Sequence, residues 1–446
     1  MFRDHAFLRR LVTLTLPFTL QNLMLALVAA ADAFMLGMVS QDAMAAVSLA
    51  TQVQFIQNML LAAVAGGIGI LGAQYWGKRD LPAMGAIFGI GIRQTTVVCV
   101  AFFLGCRIWP ETLMRLFAHD GALLQLGADY LRIAAWSYLL TGASQCYLAI
   151  MKVSDHASRT AWISSGAVVL NIALNAVFIF GWFGLPKMGV RGAALATVLA
   201  RAIELGWCVA SSYGRTFIRL RLKDIVTFHR TLVADFWHYT LPLFGAYLIW
   251  GVGFTAYTAI MGHLGPAAAA ANAVAAVVRD LMCCVCNGLC GATGIIIGNE
   301  LGAGRLEQGR LYGDRLMRLS FALGIANCLL ILALIPLFAV SMRLDAQAMS
   351  YMKGMLAILA VYMIGRTVCT IVINGIFSAG GDTLFDVVSL IVFMWGVALP
   401  CAFASAFYFR LPVFVVYACT CLDEVGKVPW VICHHKKYLW VKNITR

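Results

Sequence analysis

Charge is scarce in this sequence. Only 12% of its 446 residues are Asp, Glu, Lys or Arg, while 62% are hydrophobic. Soluble domains run near one quarter charged and one half apolar, so a soluble enzyme, a disordered chain and a collagen-like chain are excluded. The strand-like alternation that dilutes the apolar content of membrane β-barrels is missing too. Long polar stretches are absent, and the longest polar segment, 214–232, is short. Cysteine is plentiful at 14, but nearly all lie inside apolar runs, where Cys acts as a small hydrophobe and not as half of a disulfide framework. A mean hydropathy of +0.85 over this length leaves an all-α polytopic membrane protein.

A bilayer-crossing helix needs about 20 predominantly apolar residues. That rule predicts twelve spans: 11–37, 50–76, 87–109, 128–151, 160–182, 190–212, 233–261, 270–301, 311–339, 349–377, 384–407 and 412–433. The net charge of +13 first suggests nucleic acid. The basic residues instead cluster in short segments between spans, the pattern of the positive-inside rule, so no nucleic-acid partner is expected. With both termini in the cytoplasm, inside segments hold 20 Lys and Arg and outside loops hold six. The expected organisation is a six-helix lobe at 1–213, a cytoplasmic linker at 214–232, a second six-helix lobe at 233–433 and a basic tail at 434–446. The linker carries Arg215, Arg219, Arg221, Lys223 and Arg230. The tail's His434-His435-Lys436-Lys437 is expected to face anionic lipid. Its Asn443-Ile444-Thr445 sequon would go unused on the cytoplasmic side.

The chain repeats itself at an offset of 225. Thr15-Leu16-Pro17 meets Thr240-Leu241-Pro242, Gly37 meets Gly262, and Ala45-Ala46 meets Ala270-Ala271. Gly66 and Gly69 meet Gly291 and Gly294, and Gln74 and Gly77 meet Asn299 and Gly302. Six spans per repeat is an even number, so both lobes insert the same way, related by a pseudo-two-fold axis along the membrane normal. Such duplication is typical of secondary transporters.

Two nucleotide-like motifs fail. Gly67-x-Gly69-x-x-Gly72 follows no strand, and Gly72-x4-Gly77-Lys78 has Arg79 where a P-loop needs Ser or Thr for magnesium. Glycines at the end of a membrane helix serve close helix packing instead. Cys283, Cys286 and Cys290 share a helical face without the partners a metal site wants, so they read as packing residues.

Ionisable groups inside membrane helices are costly and are functional candidates by default. Asp32 lies five residues from the outer end of span one, with no basic residue between Arg10 and Lys78. A partly desolvated carboxylate can take up a proton, or hold Na⁺ if other oxygens are near; it can also sit passively at a wet mouth. Tyr257 stands at its repeat-equivalent place. Asn171 and Asn175, four apart on span five, share a face, where they could complete a cation site or bond neighbouring helices. Thr197 on span six could add a hydroxyl. Pro17 and Pro242 each remove a backbone hydrogen bond and allow their spans to bend. Arg201 with Glu204, and Arg279 with Asp280, read as locally neutralised. Arg366 has no acid in its span and could meet an anionic substrate group or another helix.

Several stretches together are specific. They are Asp32-Ala-Phe-Met-Leu-Gly37, Met44-Ala-Ala-Val-Ser48 and Gly72-Ala-Gln-Tyr-Trp-Gly-Lys-Arg-Asp80 in the first lobe's early spans. Leu170-Asn-Ile-Ala-Leu-Asn175, Phe180-Gly181, Gly189-Val-Arg-Gly-Ala-Ala-Leu-Ala-Thr197 and Gly375-Ile-Phe-Ser-Ala-Gly-Gly-Asp-Thr383 follow in order. With these the sequence resembles the multidrug and toxic compound extrusion (MATE) family over essentially its whole length. The resemblance implies two six-helix lobes around an alternating V-shaped cavity and export of amphiphilic compounds in exchange for H⁺ or Na⁺, with no other cofactor and no enzymatic activity. It implies a cell-membrane exporter, expected to act as a monomer in the lipid bilayer. The family's cation site maps onto Asp32, Asn171, Asn175 and Thr197, and its span-one bend onto Pro17. The family's further acids on spans seven and ten have no counterpart, since 241–261 and 355–377 contain no Asp or Glu. Coupling is therefore expected to rest on the first lobe. The runner-up is a flippase for lipids or lipid-linked oligosaccharides, which would need a cationic cavity built from residues such as Arg93, Arg132 and Arg366.

Overall fold

A computed structural model describes residues 5–117, 121–214, 217–341 and 345–446. Among the described residues there are twelve long helical segments and no strand. They are α1 (His5–Gly37), α2 (Gln41–Lys78), α3 (Leu81–Ile108), α4 (Gly121–Val153), α5 (Ala157–Phe180) and α6 (Gly189–Ser212). After them come α7 (Arg230–His263), α8 (Pro266–Gly302), α9 (Leu306–Ser341), α10 (Ala346–Phe377), α11 (Leu384–Tyr408) and α12, 413–436. Ten are long and apolar enough to cross a membrane; α4 and the interrupted α12 bring the count to the expected twelve. The helices outrun the apolar windows because polar caps lie beyond them. Ser40 accepts from Ala43 N at 3.0 Å to start α2, and Asp80 accepts from Ala83 N at 3.0 Å to start α3. Pro17 and Pro242 lie inside α1 and α7 and end neither helix.

The chain divides into two compact units, Leu20–His238 and the residues through Thr19 together with Tyr239–Arg446. The divisions fall within α1 and α7, not in the 214–232 segment. Each repeat therefore sends the start of its first helix into the unit built by the other repeat.

In the Leu20–His238 unit, α4 is the central helix, packed by α2, α3 and α6, and α5 lies against α6. Leu36, Tyr130, Leu131, Ile179 and Ala193 share one buried cluster that ties α1, α4, α5 and α6 together. Within the 214–232 segment a short helix, Leu222–Val226, packs on α3, and the Arg93 guanidinium lies 5.5 Å from the Phe228 ring. The segment is thus partly docked; Arg215 lies outside the described residues.

In the other unit α10 takes the central place, packed by α8, α9 and α12. The start of α1 is held there by Arg10 with Glu300 at 3.6 Å and by Phe7 against Tyr312 at 4.5 Å. Residues 370–377 of α10 wind as π-helix. α12 is interrupted at Cys421 and again at Gly426–Lys427; Pro429, two residues on, has no N–H to offer the preceding turn.

The tail departs from expectation. Lys436 and Lys437 are exposed, but Trp440 is completely buried. Its seat is made by two glycines: a Cβ at Gly313 would collide with the indole, standing 2.7 Å from its Cζ2 and nearer still to Cη2, and one at Gly380 would stand 2.6 Å from the Trp440 carbonyl carbon. His434 lies 2.7 Å from Asp382, and the Tyr438 hydroxyl donates to Asp314 at 3.2 Å. The reason is the indole: burying so large an apolar ring outweighs solvating a short basic segment. The tail belongs to the packed unit, and its histidines do not face lipid.

Candidate functional site

Asp32 is carried on the last turns of α1, whose position is set by Leu36 one turn on, only 1% exposed. Asn175 on α5 donates from Nδ2 to Asp32 Oδ1 at 2.5 Å, and the same nitrogen reaches Asn171 Oδ1 at 3.2 Å. Asn171 Nδ2 in turn lies 3.5 Å from Thr197 Oγ1 on α6, and that hydroxyl donates to the Ala193 carbonyl at 3.0 Å. Three helices therefore bring all four residues named from the sequence into one hydrogen-bonded chain. Asn175 Oδ1 is buried and accepts no hydrogen bond. A buried amide oxygen left in this state is costly, and a proton donor or a cation beside Asp32 would satisfy it.

Two residues not singled out for this site join it. Tyr130 on α4 is buried beside Thr197 and within electrostatic range of Asp32. Arg201, one turn beyond Thr197 on the same face of α6, acts on Asp32 through space, yet its guanidinium is bound to Glu204 at 2.6 Å. The 197, 201, 204 spacing carried the Arg201 signal; nothing in the sequence marked Tyr130 among the other residues of α4.

The fit of α5 against α6 depends on Gly192. A Cβ there would sit 2.6 Å from the Phe178 carbonyl oxygen. Gly192→Ala is expected to push the helices apart, cost about 1–3 kcal/mol and weaken the long Asn171–Thr197 contact. Thermal unfolding in detergent, together with ion-driven flux, checks both effects; a parental melting temperature would show that the contact is not so tight.

The remaining candidates lie in the second unit. Arg366 on α10 does meet another helix: its Nη1 is 2.6 Å from Glu424 Oε1 on α12. Tyr257, the repeat equivalent of Asp32 and a candidate substrate or gating residue, is buried in a cluster with Ala246, Leu390 and Met394. Residues 241–261 of α7 and 355–377 of α10 carry no acid, but α12 supplies Asp423 and Glu424, which are 3% and 2% exposed. These two acids lie on a third helix, outside the two whose lack of acids led to the expectation of first-lobe coupling. Cys286 is a packing residue as expected, its sulfur contacting Thr367 and Asn327 at 3.2 and 3.3 Å.

Twelve helices in two repeats, ten of them long and apolar enough to cross a membrane, with a polar chain built across three, define a multi-pass membrane transporter. The MatE family model matches the chain twice, at residues 17–177 and 242–404, so each match opens on one of the paired prolines. This chain belongs to the MatE family. It is 24% identical over 439 residues to a Bacillus subtilis (strain 168) protein named "Uncharacterized transporter YisQ", covering 97% of this chain and 95% of that one. It is 25% identical over 414 residues to a Thermotoga maritima protein named "Probable multidrug resistance protein NorM", covering 90% and 86%. Among solved structures, a mutant of the Vibrio cholerae MATE transporter VcmN superposes with a TM-score of 0.87 at 15% identity, covering 98% and 97%. An outward-facing multidrug resistance MATE family transporter superposes with a TM-score of 0.86 at 17% identity, covering 96% of each chain. At these identities the structures establish the fold.

Proposed function

We propose that this chain exports amphiphilic organic compounds across the cell membrane by alternating access, in exchange for H⁺ or Na⁺ entering at Asp32. The observation that carries the reading is the chain from Asp32 through Asn175 and Asn171 to Thr197, set inside membrane helices and leaving the Asn175 amide oxygen unsatisfied. Proton uptake would turn Asp32 into a donor for that oxygen, and Na⁺ would take it as a ligand. Either removes the negative charge that holds the Asn175 amide, and so releases the outer part of α1 from α5. Pro17, lacking an N–H, gives α1 a point at which to bend in response. The multidrug names carried by relatives support a broad amphiphilic substrate class. The excess of Lys and Arg on one side supports cytoplasmic termini.

The flippase reading draws less support. Its three arginines are engaged locally: Arg132 with Glu111 and Asp129, Arg366 with Glu424, and Arg93 over Phe228.

Efflux of several amphiphilic cations from proteoliposomes, under an imposed pH gradient and separately a Na⁺ gradient, tests the proposal. Flux is expected with one of the two gradients, which names the ion. Absence of flux with both would transfer the weight to lipid translocation.

A further inference from the structure

Inside the unit that holds α10, α11 and α12, two permanent cations meet three carboxyl groups. Glu424 takes both cations. Its Oε1 lies 2.6 Å from Arg366 Nη1, and its Oε2 lies 3.2 Å from Lys427 Nζ, off the hydrogen-bonding direction. Asp423, beside it, is 3% exposed, and its Oδ1 accepts no hydrogen bond. Asp386 on α11 is half-buried and acts through space on Arg366, Glu424 and Lys427. Fully ionised, the three carboxylates exceed the two cations by one negative charge, and Asp423 and Glu424 are almost wholly out of solvent, which is strongly unfavourable.

Neutral titratable groups complete the surroundings of Asp423: Tyr257 from α7, Tyr362 from α10 and Cys421 on α12 itself. Cys283 on α8 faces Arg366. The Tyr257 hydroxyl is an independent pointer. It is 8% exposed, makes no hydrogen bond, and lies within electrostatic range of Asp423 and Glu424. The backbone also marks the place, because α12 is interrupted on both sides of these residues and α10 turns to π-helix just past Arg366. Irregular helix at membrane depth persists where protein or a cavity takes up the freed groups, and recurs at functional sites.

The repeat relates this cluster to the first site. The two family matches are offset by 225 residues at their start, 17 to 242, and by 227 at their end, 177 to 404. These offsets take Asp32 to Tyr257, Thr197 to 422–424 and Arg201 to 426–428. In the first unit the acid is on the first helix and the cation that acts on it through space is on the sixth; in the other the acids and Lys427 are all on the sixth helix, and Tyr257 stands at the place of Asp32.

From this juxtaposition we propose that Asp423 is a second proton-binding site, separate from Asp32. A proton neutralises the surplus charge with a single oxygen. A sodium ion would need several oxygens and would be repelled by Arg366 and Lys427. That the proton is exchanged during transport rests on the antiport reading; that Asp423 holds one does not.

Infrared difference spectra of the reconstituted full chain, recorded as pH is raised, report each protonated carboxyl by its C=O stretch. Asp423→Asn is expected to remove one such band that Asp32→Asn retains and Tyr257→Phe shifts. A spectrum unchanged by Asp423→Asn, or one whose carboxyl bands all vanish in Asp32→Asn, overturns the proposal. If Asp423→Asn does not fold, Tyr257→Phe decides: a shifted band supports the site, and a parental spectrum overturns it. Absent gradient-driven flux with the Asp423 band present would refute the antiport reading and leave this site standing.

Discussion

Asp32→Asn is expected to reduce ion-driven export to the level of empty vesicles while the protein still folds and binds substrate. Asn matches Asp in volume, so Leu36 and the cluster beneath it are undisturbed. The amide can still face Asn175 across the present 2.5 Å contact. What it cannot do is change charge, and a side chain that cannot change charge cannot trade a proton or Na⁺ for a conformational change. Substrate affinity should stay within about tenfold of the parent, about 1.4 kcal/mol. Flux in proteoliposomes and equilibrium substrate binding separate the two quantities. Parental flux in the Asn variant would sink the mechanism, and lost binding together with lost flux would place Asp32 in the substrate site instead.

Trp440→Ala carries the largest expected cost in stability. The indole is completely buried, its Nε1 donates to the His435 carbonyl at 3.3 Å, and glycines on two segments are shaped around it. Truncating such a ring costs about 3–5 kcal/mol, so the melting temperature in neutral detergent should fall by many degrees. The choice of medium matters. If the tail acted only by touching anionic headgroups, removing its aromatic residue would leave stability in neutral detergent unchanged.

Much of this architecture was legible in the sequence. Apolar run length located the helices, and the paired Thr-Leu-Pro triplets located the repeat, because both are local properties of the chain. The hydrogen-bonded group around Asp32 was legible in part: Asn171 and Asn175 share a face by spacing and Asp32 stands out through the scarcity of charge around it, while their grouping with Thr197 came from the family resemblance. Asp423 and Glu424 were hidden by their own neighbourhood. Lys427, three and four residues on, offers them a local counter-charge, and only packing shows that Glu424 shares its charge with Arg366, 58 residues away. Trp440 was missed for the opposite reason. A lone aromatic in a basic tail has no periodicity, and its seat is a gap left by two glycines distant in sequence.

The exchange of helix starts between the repeats sets an order on synthesis. By the time the ribosome has made six spans, the residues of α1 up to Thr19 have been in place longest, yet Glu300 and Tyr312, which Arg10 and Phe7 contact, do not exist. The unit of Leu20–His238 is itself incomplete until the opening of α7 emerges. A nascent chain stopped at the 214–232 segment therefore holds one unit that lacks its last element and a helix start with nothing to dock on. Each half thus needs the other to complete its unit, so a gene cut at 214–232 should yield stable protein only when both fragments are made in the same cell.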